Sequence, residues 1–396
     1  MSKRRSLVEG MVVSLALLVF GCSDTAAPDA GKPASPSVDG AAAGAMSGDS
    51  ADAAGHADAA AADNGASPGE PLKKAELLVE LPADSCNTPD AMALLPDGNI
   101  ILSVPNFNDL TQPPLLMKIT PENKAEPFIE LPNHPETEKP VGPLGICVAP
   151  DGNLFFADYQ MTGERQSRVM RVTMKDGIPA EIMPVITGFR VSNAVIVHGD
   201  HLYVSETQLD PEAEPALSGV FRFGLEELKD TIVELAENYR DDPHLLATIE
   251  THNKELKLGA DGLAFDDDGN LYIGNFSDGT VHRFKFDAEG KVTSNEIFAK
   301  ADFMKSADGL FRDPQSGLIY VADSKANAVQ IVSPDGSVKT LAQNGDTDGL
   351  DGGMDQPCEV LLRGRELIVS NMDWPVPGCI NQKYDKPCTL SVIQLD

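Results

Sequence analysis

A short apolar strand restarts six times along the last four-fifths of this chain, each time from the same kind of short lead-in segment. The matched positions are separated by 54, 49, 68, 47 and 50 residues. They are Asp90, Leu144, Asn193, Asp261, Asp308 and Cys358. A recurring unit near 50 residues, with strands joined by Asp-Gly or similar tight turns, is typical of one blade of a β-propeller. The sequence therefore predicts an all-β fold, a six-bladed β-propeller.

The sixth unit has only three apparent strands, and the missing one is found at the start of the domain. The segment "AELLVELPAD" from Ala75 echoes "AEPFIELPNH" from Ala125, which is the outermost strand of the first unit. We expect residues 75–81 to complete the sixth blade and close the ring, because a closed ring removes exposed sheet edges. The propeller is predicted to span residues 75–396.

The third unit is longer than the others because it contains an insertion of about 20 residues, 226–245. Leu228, Ile232 and Leu235 recur there at a helical spacing. This pattern predicts a helix between the third and fourth strands of the blade.

The N-terminus is a targeting element, predicted as a signal peptide over residues 1–22. Basic residues at positions 3–5 precede an apolar stretch, 11–20, that is too short to span a bilayer. The sequence Val-Phe-Gly-Cys at 19–22 resembles the lipobox of bacterial lipoproteins. That resemblance implies lipidation of Cys22 and a protein anchored in the bacterial cell envelope, and it favours the outer membrane, facing the periplasm or the cell surface. An ordinary cleaved signal is the alternative.

Composition and net charge limit how residues 23–74 can fold and which classes of partner the protein can bind. Residues 23–74 are dominated by Ala, Gly, Asp, Ser and Pro, cannot bury enough apolar surface to fold, and are predicted to be a disordered tether. A formal net charge of −30 argues against nucleic acid as a partner and leaves cations and neutral small molecules. Membrane contact is expected through the lipid anchor alone, and no protein partner can be named.

The cysteines predict two disulfides, which an oxidising envelope compartment permits. Cys379 and Cys388 bracket a short loop before the last strand, so this pair is the first candidate. Cys86 and Cys358 lie at the starts of the first and last blades, which a closed ring makes adjacent, so a second bridge is expected there.

Asp90, Asn193, Asp261 and Asp308 share one position, at the start of the innermost strand of their blades. A propeller directs these strands at one central channel, so the four side chains should converge. Carboxylate and amide oxygens are hard ligands suited to Ca²⁺, and zinc would favour His or Cys. The alternative is that each Asp caps a turn without any metal, as in propeller repeats of the NHL kind.

The region from about Ala75 to Asp396 resembles the SMP-30/gluconolactonase/LRE-like family of six-bladed propellers. Members carry a divalent metal, usually Ca²⁺, bound by a Glu in blade one, an Asn in blade three, an Asn in blade four and an Asp in blade five. The matching residues here are Asp90, Asn193, Asp261 and Asp308 in that order. Asp90 is therefore shorter than the family's Glu, and Asp261 adds a negative charge.

The resemblance implies metal-dependent hydrolysis of a lactone or related ester. Asp308 is then a metal ligand and the candidate general base. The alternative function is a non-catalytic propeller that displays a ligand-binding or protein-binding face.

Other polar residues are weaker candidates. Glu359 is predicted to point to the other face of its strand, His134 and His252 lie in loops that could reach the site, and Trp374 could stack on a ligand. Polar residues also recur at the ends of the second strands, where they are expected to terminate strands or bond across blades. They are Asn106, Asp158, Glu206, Asn275, Asp323 and Asn371.

Overall fold

Twenty-five β-strands build the part of the chain that the computed structural model describes, residues 71–396. Two short 3-10 helices, Tyr239–Asp241 and Ser324–Ala326, complete the regular structure, and this region contains no α-helix. Leu72–Asp396 form one compact unit. The first thirteen strands are β1 (Glu76–Glu80), β2 (Met92–Leu94), β3 (Ile100–Val104), β4 (Leu115–Ile119), β5 (Ala125–Glu130), β6 (Pro143–Val148), β7 (Leu154–Asp158), β8 (Ser167–Lys175), β9 (Ile178–Phe189), β10 (Ser192–His198), β11 (His201–Asp210), β12 (Ala216–Gly224) and β13 (Val233–Glu234). The remaining strands are β14 (Leu245–Thr251), β15 (Ala260–Phe265), β16 (Leu271–Asn275), β17 (Thr280–Phe286), β18 (Val292–Lys300), β19 (Leu310–Arg312), β20 (Ile319–Asp323), β21 (Ala328–Val332), β22 (Val338–Gln343), β23 (Pro357–Arg363), β24 (Glu366–Asn371) and β25 (Thr389–Gln394).

The strands form six separate sheets, one for each blade. Blades one to five are β2 to β5, β6 to β9, β10 to β12 with β14, β15 to β18, and β19 to β22. Neighbouring strands in these blades are antiparallel. The first strands of successive blades contact one another in a closed cycle, β2, β6, β10, β15, β19, β23 and back to β2. The predicted six-bladed propeller is confirmed.

Blade six is completed by the first strand of the domain, as predicted. Its order is β23, β24, β25 and β1, and β1 runs antiparallel to β25 with Glu76 opposite Val392. Beyond the paired strands, the Leu81 amide donates to the Cys388 carbonyl at 2.9 Å. The two ends of the propeller are therefore joined by a strand pair.

The hydrophobic core is divided into six clusters, each lying between two neighbouring blades. Phe156 lies between blades one and two, Phe221 between two and three, and Phe284 between three and four, and each is less than 2% exposed. Burial of such a side chain stabilises the fold by roughly 1.5–3 kcal/mol. The blades are thus held face to face and the ring is closed by packing as well as by pairing.

The insertion in blade three does not form the predicted helix. Its residues 233–234 form β13, which pairs in parallel with β9 of blade two, and only a single 3-10 turn follows. Leu228 and Leu235 are buried in the cluster between blades two and three, but Ile232 is 53% exposed. The β-branched run Thr231-Ile232-Val233 disfavours a helix. The two leucines are instead buried by a segment in extended conformation.

The polar residues that end the second strands fasten the segments leading into the first strands. Asn106 accepts from the Asn87 amide at 2.8 Å and Asp158 from the Gly142 amide at 3.0 Å. The equivalent side chains in blades three, five and six also accept backbone N–H bonds, and Asn275 accepts from the Asp278 amide at 3.4 Å while donating to the Glu250 carbonyl. All six are at most 2% exposed. As expected, Asp158, Asn275, Asp323 and Asn371 are the last residues of their strands, and we call all six the latch residues.

The predicted signal peptide, Cys22 and nearly all of the tether lie outside the described residues. Within residues 71–396, no helix is long and apolar enough to cross a membrane.

Candidate metal centre

The first strands bring three predicted ligands, Asp90, Asp261 and Asp308, into one electrostatically coupled group at the propeller axis. Each of these carboxyls acts on at least one of the others, although they lie in blades one, four and five. Asp90 and Asp261 are 7% and 6% exposed, whereas Asp308 is half-buried. These three side chains therefore lie close enough for their charges to act on one another.

The side chains of Asp261 and Asp308 are hydrogen-bonded to each other, which requires one proton between the two carboxyls. Burial is the main cause that raises the pKa of both carboxyls well above the ordinary value, and the Asp90 charge adds to it. Ser324 Oγ lies 2.5 Å from Asp308 Oδ2 and 2.6 Å from the Pro357 carbonyl oxygen. One proton is thus held between two blades.

Asp90 has a thiol as its neighbour. Burial raises the pKa of Asp90 to about 7, and a side-chain hydrogen bond from Cys358 opposes that rise. Cys358 Sγ also lies 3.7 Å from the backbone oxygens of Pro89 and Asp90. Cys358 therefore occupies the blade-six position of the axial ring, facing blade one.

Glu359 joins the group, contrary to the expectation that it points away. Burial raises its pKa well above the ordinary value, with added contributions from the charges of Asp308 and Asp90. The pairing of β23 with β24 shifts between Pro357 and Glu359, so Cys358 is the extra residue of a β-bulge and strict alternation fails there. A signal was present in the sequence, because the corresponding residue is Gly or Ala in the other five blades.

The residue at this position is Gly or Ala in the other blades because the first strand of the next blade lies close to it. A Cβ on Gly309 would collide with the Cys358 carbonyl oxygen and with the Glu359 carboxylate. A Cβ on Gly145 would meet the Asn193 carbonyl oxygen in the same way. Asn193 itself occupies the equivalent place in β10 and is half-buried.

The four carboxylates fit a hard cation in their chemistry. All are oxygen donors, and their mutual repulsion would be relieved by a divalent ion such as Ca²⁺. As the side chains lie, however, no set of three or more His, Cys, Asp or Glu residues within 71–396 is arranged to hold a metal. The hydrogen bond between Asp261 and Asp308 uses oxygens that a cation would need, so binding would require that proton to leave.

The other candidates make local hydrogen bonds, an ion pair or packing contacts. His134 is buried, and its Nδ1 accepts from the Glu136 amide at 3.1 Å. His252 is largely exposed and pairs with Glu250 at 3.7 Å. The Trp374 ring packs on Phe107 with centroids 5.1 Å apart. These contacts indicate structural roles.

Neither predicted disulfide is present, and all five cysteines within residues 71–396 are free thiols. Cys358 is held at the axis beside Asp90, and Cys379 Sγ lies 3.6 Å from Gln356 Nε2. Cys388 is instead hydrogen-bonded to Cys86, the residue assigned to the other predicted pair. The chain-end geometry explains this, because Cys388 opens the strand that pairs with β1 and Cys86 follows β1 closely.

Two cavities of about 320 and 290 Å³ lie off the axis. The first is enclosed by Arg165, Arg190, Glu206 and the insertion, and the second by His252, Asp278 and His282. Neither is lined by an axial carboxylate. The axial group is thus identified by its charges and hydrogen bonds.

The structure is similar to solved propellers of several activities. A protein named as a gluconolactonase aligns with a TM-score of 0.53 and 17% identity, over 81% of this chain and 92% of that one. The chain has the fold of these propellers. Regucalcin from Agrobacterium tumefaciens, described as calcium-binding, aligns at 0.51 and 12%, over 82% and 94%. A protein from Thermus thermophilus named as a glucose dehydrogenase aligns at 0.52 and 16%, over 81% and 100%.

At these identities the similarity shows the fold alone, and the neighbours differ in their named activities. No protein-family model matches the sequence, and no curated protein matches it. The fold is therefore gluconolactonase-like and regucalcin-like, and the chemistry has to be argued from the axial residues.

Proposed function

We propose that this propeller is a Ca²⁺-dependent hydrolase of lactones or related small-molecule esters, with the axial carboxylates as its reacting centre. The observation that carries the proposal is the convergence of Asp90, Asp261, Asp308 and Glu359, from four different blades, on one another. Buried like charges of this kind cost stability unless they are protonated or bind a cation, and such groups are retained for chemistry. Gluconolactonase and calcium binding among the names of the structural neighbours support the same function.

The proposed division of roles follows from exposure. Asp90 and Asp261 are more deeply buried than Asp308, so they would serve as ligands together with Asn193. Asp308 is half-buried and is oriented by Ser324, so it can meet a substrate-side water and take its proton. When bound, the cation would polarise the carbonyl of the substrate. Addition of water breaks the acyl C–O bond, and the released alkoxide recovers the proton to give a hydroxy acid.

The test is hydrolysis by residues 72–396 of a panel of lactones and aryl esters, with Ca²⁺ or with EDTA. We expect turnover that EDTA and Asp308→Asn both abolish, and that Asp335→Asn leaves unchanged. Asp335 is a fair control because it is an exposed turn residue that bonds only to Ser337. Turnover that survives EDTA and Asp308→Asn would overturn the proposal. Cation binding without turnover would favour the alternative, a binding platform.

We further propose that the protein is a lipoprotein of the bacterial envelope, anchored through Cys22 and exposed to the periplasm or the cell surface. The support is the basic, apolar and lipobox-like sequence of residues 1–22. Incorporation of a labelled fatty acid by the wild type, lost in Cys22→Ser, tests it. Equal labelling of both would contradict it.

A further inference from the structure

A second group of buried oxygen atoms lies in the loops of blade six and is not part of the axial group. Its members are Asp355, Asp373 and Asn381, which are 3%, 0% and 1% exposed. We call them the blade-six cluster. They come from the segment before β23 and from the long loop between β24 and β25.

The cluster contains acceptors that no donor satisfies. Asp355 Oδ1 and Asn381 Oδ1 are buried and have no hydrogen-bond partner in the described chain, and the same is true of Gln356 Oε1 beside them. Leaving a buried acceptor unpaired costs free energy. All three atoms are carboxyl or amide oxygens, which are the usual donors to Ca²⁺.

Hydrogen bonds hold the cluster together. Asn381 Nδ2 donates to Asp373 Oδ1 at 2.8 Å, and the Asp385 amide donates to Asp373 Oδ2 at 2.5 Å. Gln356 Nε2 donates to the carbonyl oxygen of Trp374 at 2.7 Å, which places Gln356 against the residue that follows Asp373. The segment before β23 and the loop between β24 and β25 are thus bonded together, and the charge of Asp373 acts on Asp355.

The charges nearby are predominantly negative. Burial raises the pKa of Asp355 to about 8 and that of Asp373 to about 7, and the carboxylates of Asp346 and Asp385 add to both shifts. A nearby cation is Lys383, whose Nζ lies 3.1 Å from Asp385 on the surface. Its side chain is 72% exposed, so it screens charge at the surface and does not neutralise the buried carboxylates.

We propose that Asp355, Asp373 and Asn381 bind one Ca²⁺ ion, with Gln356 Oε1 as a further ligand. Ca²⁺ fits because carboxylate and amide oxygens are its usual donors, whereas the site has no His and no thiolate. The proposed ligands are two carboxylates and two amide oxygens. A site of this composition needs only two acidic residues, so it is compatible with the finding that no three His, Cys, Asp or Glu residues within 71–396 are arranged to hold a metal. A site with only two charges should be weak, on the order of 10⁻⁴ to 10⁻³ M in its dissociation constant.

The position of the only tryptophan in the chain makes a direct test possible, because Trp374 follows Asp373 in sequence. Tb³⁺, a luminescent substitute for Ca²⁺, is added to the purified protein and excited through tryptophan. We expect sensitised Tb³⁺ emission that Ca²⁺ displaces. Asp355→Asn and Asn381→Ala should each weaken it at least about tenfold, since the first removes one of two ligand charges and the second removes an oxygen donor.

Controls separate this site from the axial one. Asp261→Asn, which alters the axial group, and Asp335→Asn, which alters an exposed turn, should both retain the signal. Thermal unfolding checks that each variant is folded, and the melting point of the wild type should rise with Ca²⁺ by an increment that Asp355→Asn loses.

Three results would overturn the proposal. They are no sensitised emission from the wild type, emission that persists undiminished in a folded Asp355→Asn or Asn381→Ala protein, and emission that Asp261→Asn abolishes while Asp355→Asn does not. The last result would assign the ion to the axis.

Discussion

The buried side chains of Asp261 and Asp308 share a hydrogen bond across the boundary between blades four and five. A proton therefore occupies the place that a cation would take, and it makes the buried pair tolerable without one. The effect of a substitution at either residue therefore depends on whether the new side chain can still form this hydrogen bond.

Asp261→Asn should leave the stability of the cation-free protein within about 1 kcal/mol, because the amide N–H can donate the same hydrogen bond to Asp308. Asp261→Ala should lose about 1–3 kcal/mol, because it leaves a buried acceptor without its donor. Urea unfolding in the presence of a chelator measures both. Equal losses in the two variants would show that the hydrogen bond is not formed.

Glu359→Gln should stabilise the cation-free protein by about 1 kcal/mol or more, because it removes a carboxyl whose charged form is opposed by burial and by the charges of Asp308 and Asp90. The same change should weaken Ca²⁺ binding roughly tenfold, since ligand charge sets the affinity. Thermal unfolding with a chelator and calorimetric titration give the two values. Glu126→Gln, at a surface pair with Lys118, is the control and should change neither.

Gly309→Ala should destabilise the propeller by about 1–3 kcal/mol, because the new methyl group would overlap the Cys358 carbonyl and the Glu359 carboxylate. Gly345→Ala is the matched control, since nothing lies within 4 Å of its Cβ position. Denaturant unfolding of the two variants compares them. A Gly309→Ala protein as stable as Gly345→Ala would mean that blades five and six are not in close contact at the axis.

The latch residue Asp323 should make stability depend on pH. Burial raises its pKa above the ordinary value, so the folded protein binds more protons than the unfolded chain between about pH 4 and the raised value. Its contribution to stability is therefore present below this window and is lost as pH rises through it. The loss is roughly 1.4 kcal/mol for each tenfold difference between the acid dissociation constants of the folded and unfolded states.

Asp323→Asn keeps an acceptor and does not titrate, so its stability relative to the wild type should increase with pH over this window. Asp323→Ala should be destabilised at every pH, because the amides of Lys305 and Ser306 lose their acceptor. Unfolding curves at several pH values provide the comparison. A stability difference between Asp323→Asn and the wild type that does not vary with pH would contradict the assignment.

Cys86 and Cys388 should form a disulfide when the protein is treated with a small-molecule disulfide such as oxidised glutathione. Their side chains are hydrogen-bonded to each other, and the oxidant accepts the two electrons and is reduced to thiols. Peptide mapping by mass spectrometry should find Cys86 linked to Cys388, and the link should be lost in Cys388→Ser and kept in Cys379→Ser. A link between Cys379 and Cys388 would restore the pairing expected from the loop sequence.

The repeat made the ring of first strands predictable. Asp90, Asp261 and Asp308 could be superposed from the sequence because each begins the same structural unit, and β1 could be assigned to blade six from the echo of β5. Glu359 could not be placed, because a bulge at Cys358 breaks the alternation on which its orientation was inferred.

Predictions from the local sequence pattern were wrong where contacts between residues that are distant in the sequence determine the structure. The insertion shows a helical spacing, yet Leu228 and Leu235 are buried by an extended segment that pairs with β9. The cysteine pairing failed for the same reason, since proximity across the β1 and β25 pair outweighs proximity along the chain. Asp355 and Asp373 gave no signal, because only the folded loops of blade six bring their oxygens together.

The pairing of β1 with β25 also has a consequence during protein synthesis. A nascent chain exposes an unpaired β1 edge until residues 389–394 have left the ribosome, when five blades are already complete in sequence. Chains released early would carry that open edge, and edge-to-edge association would follow from it.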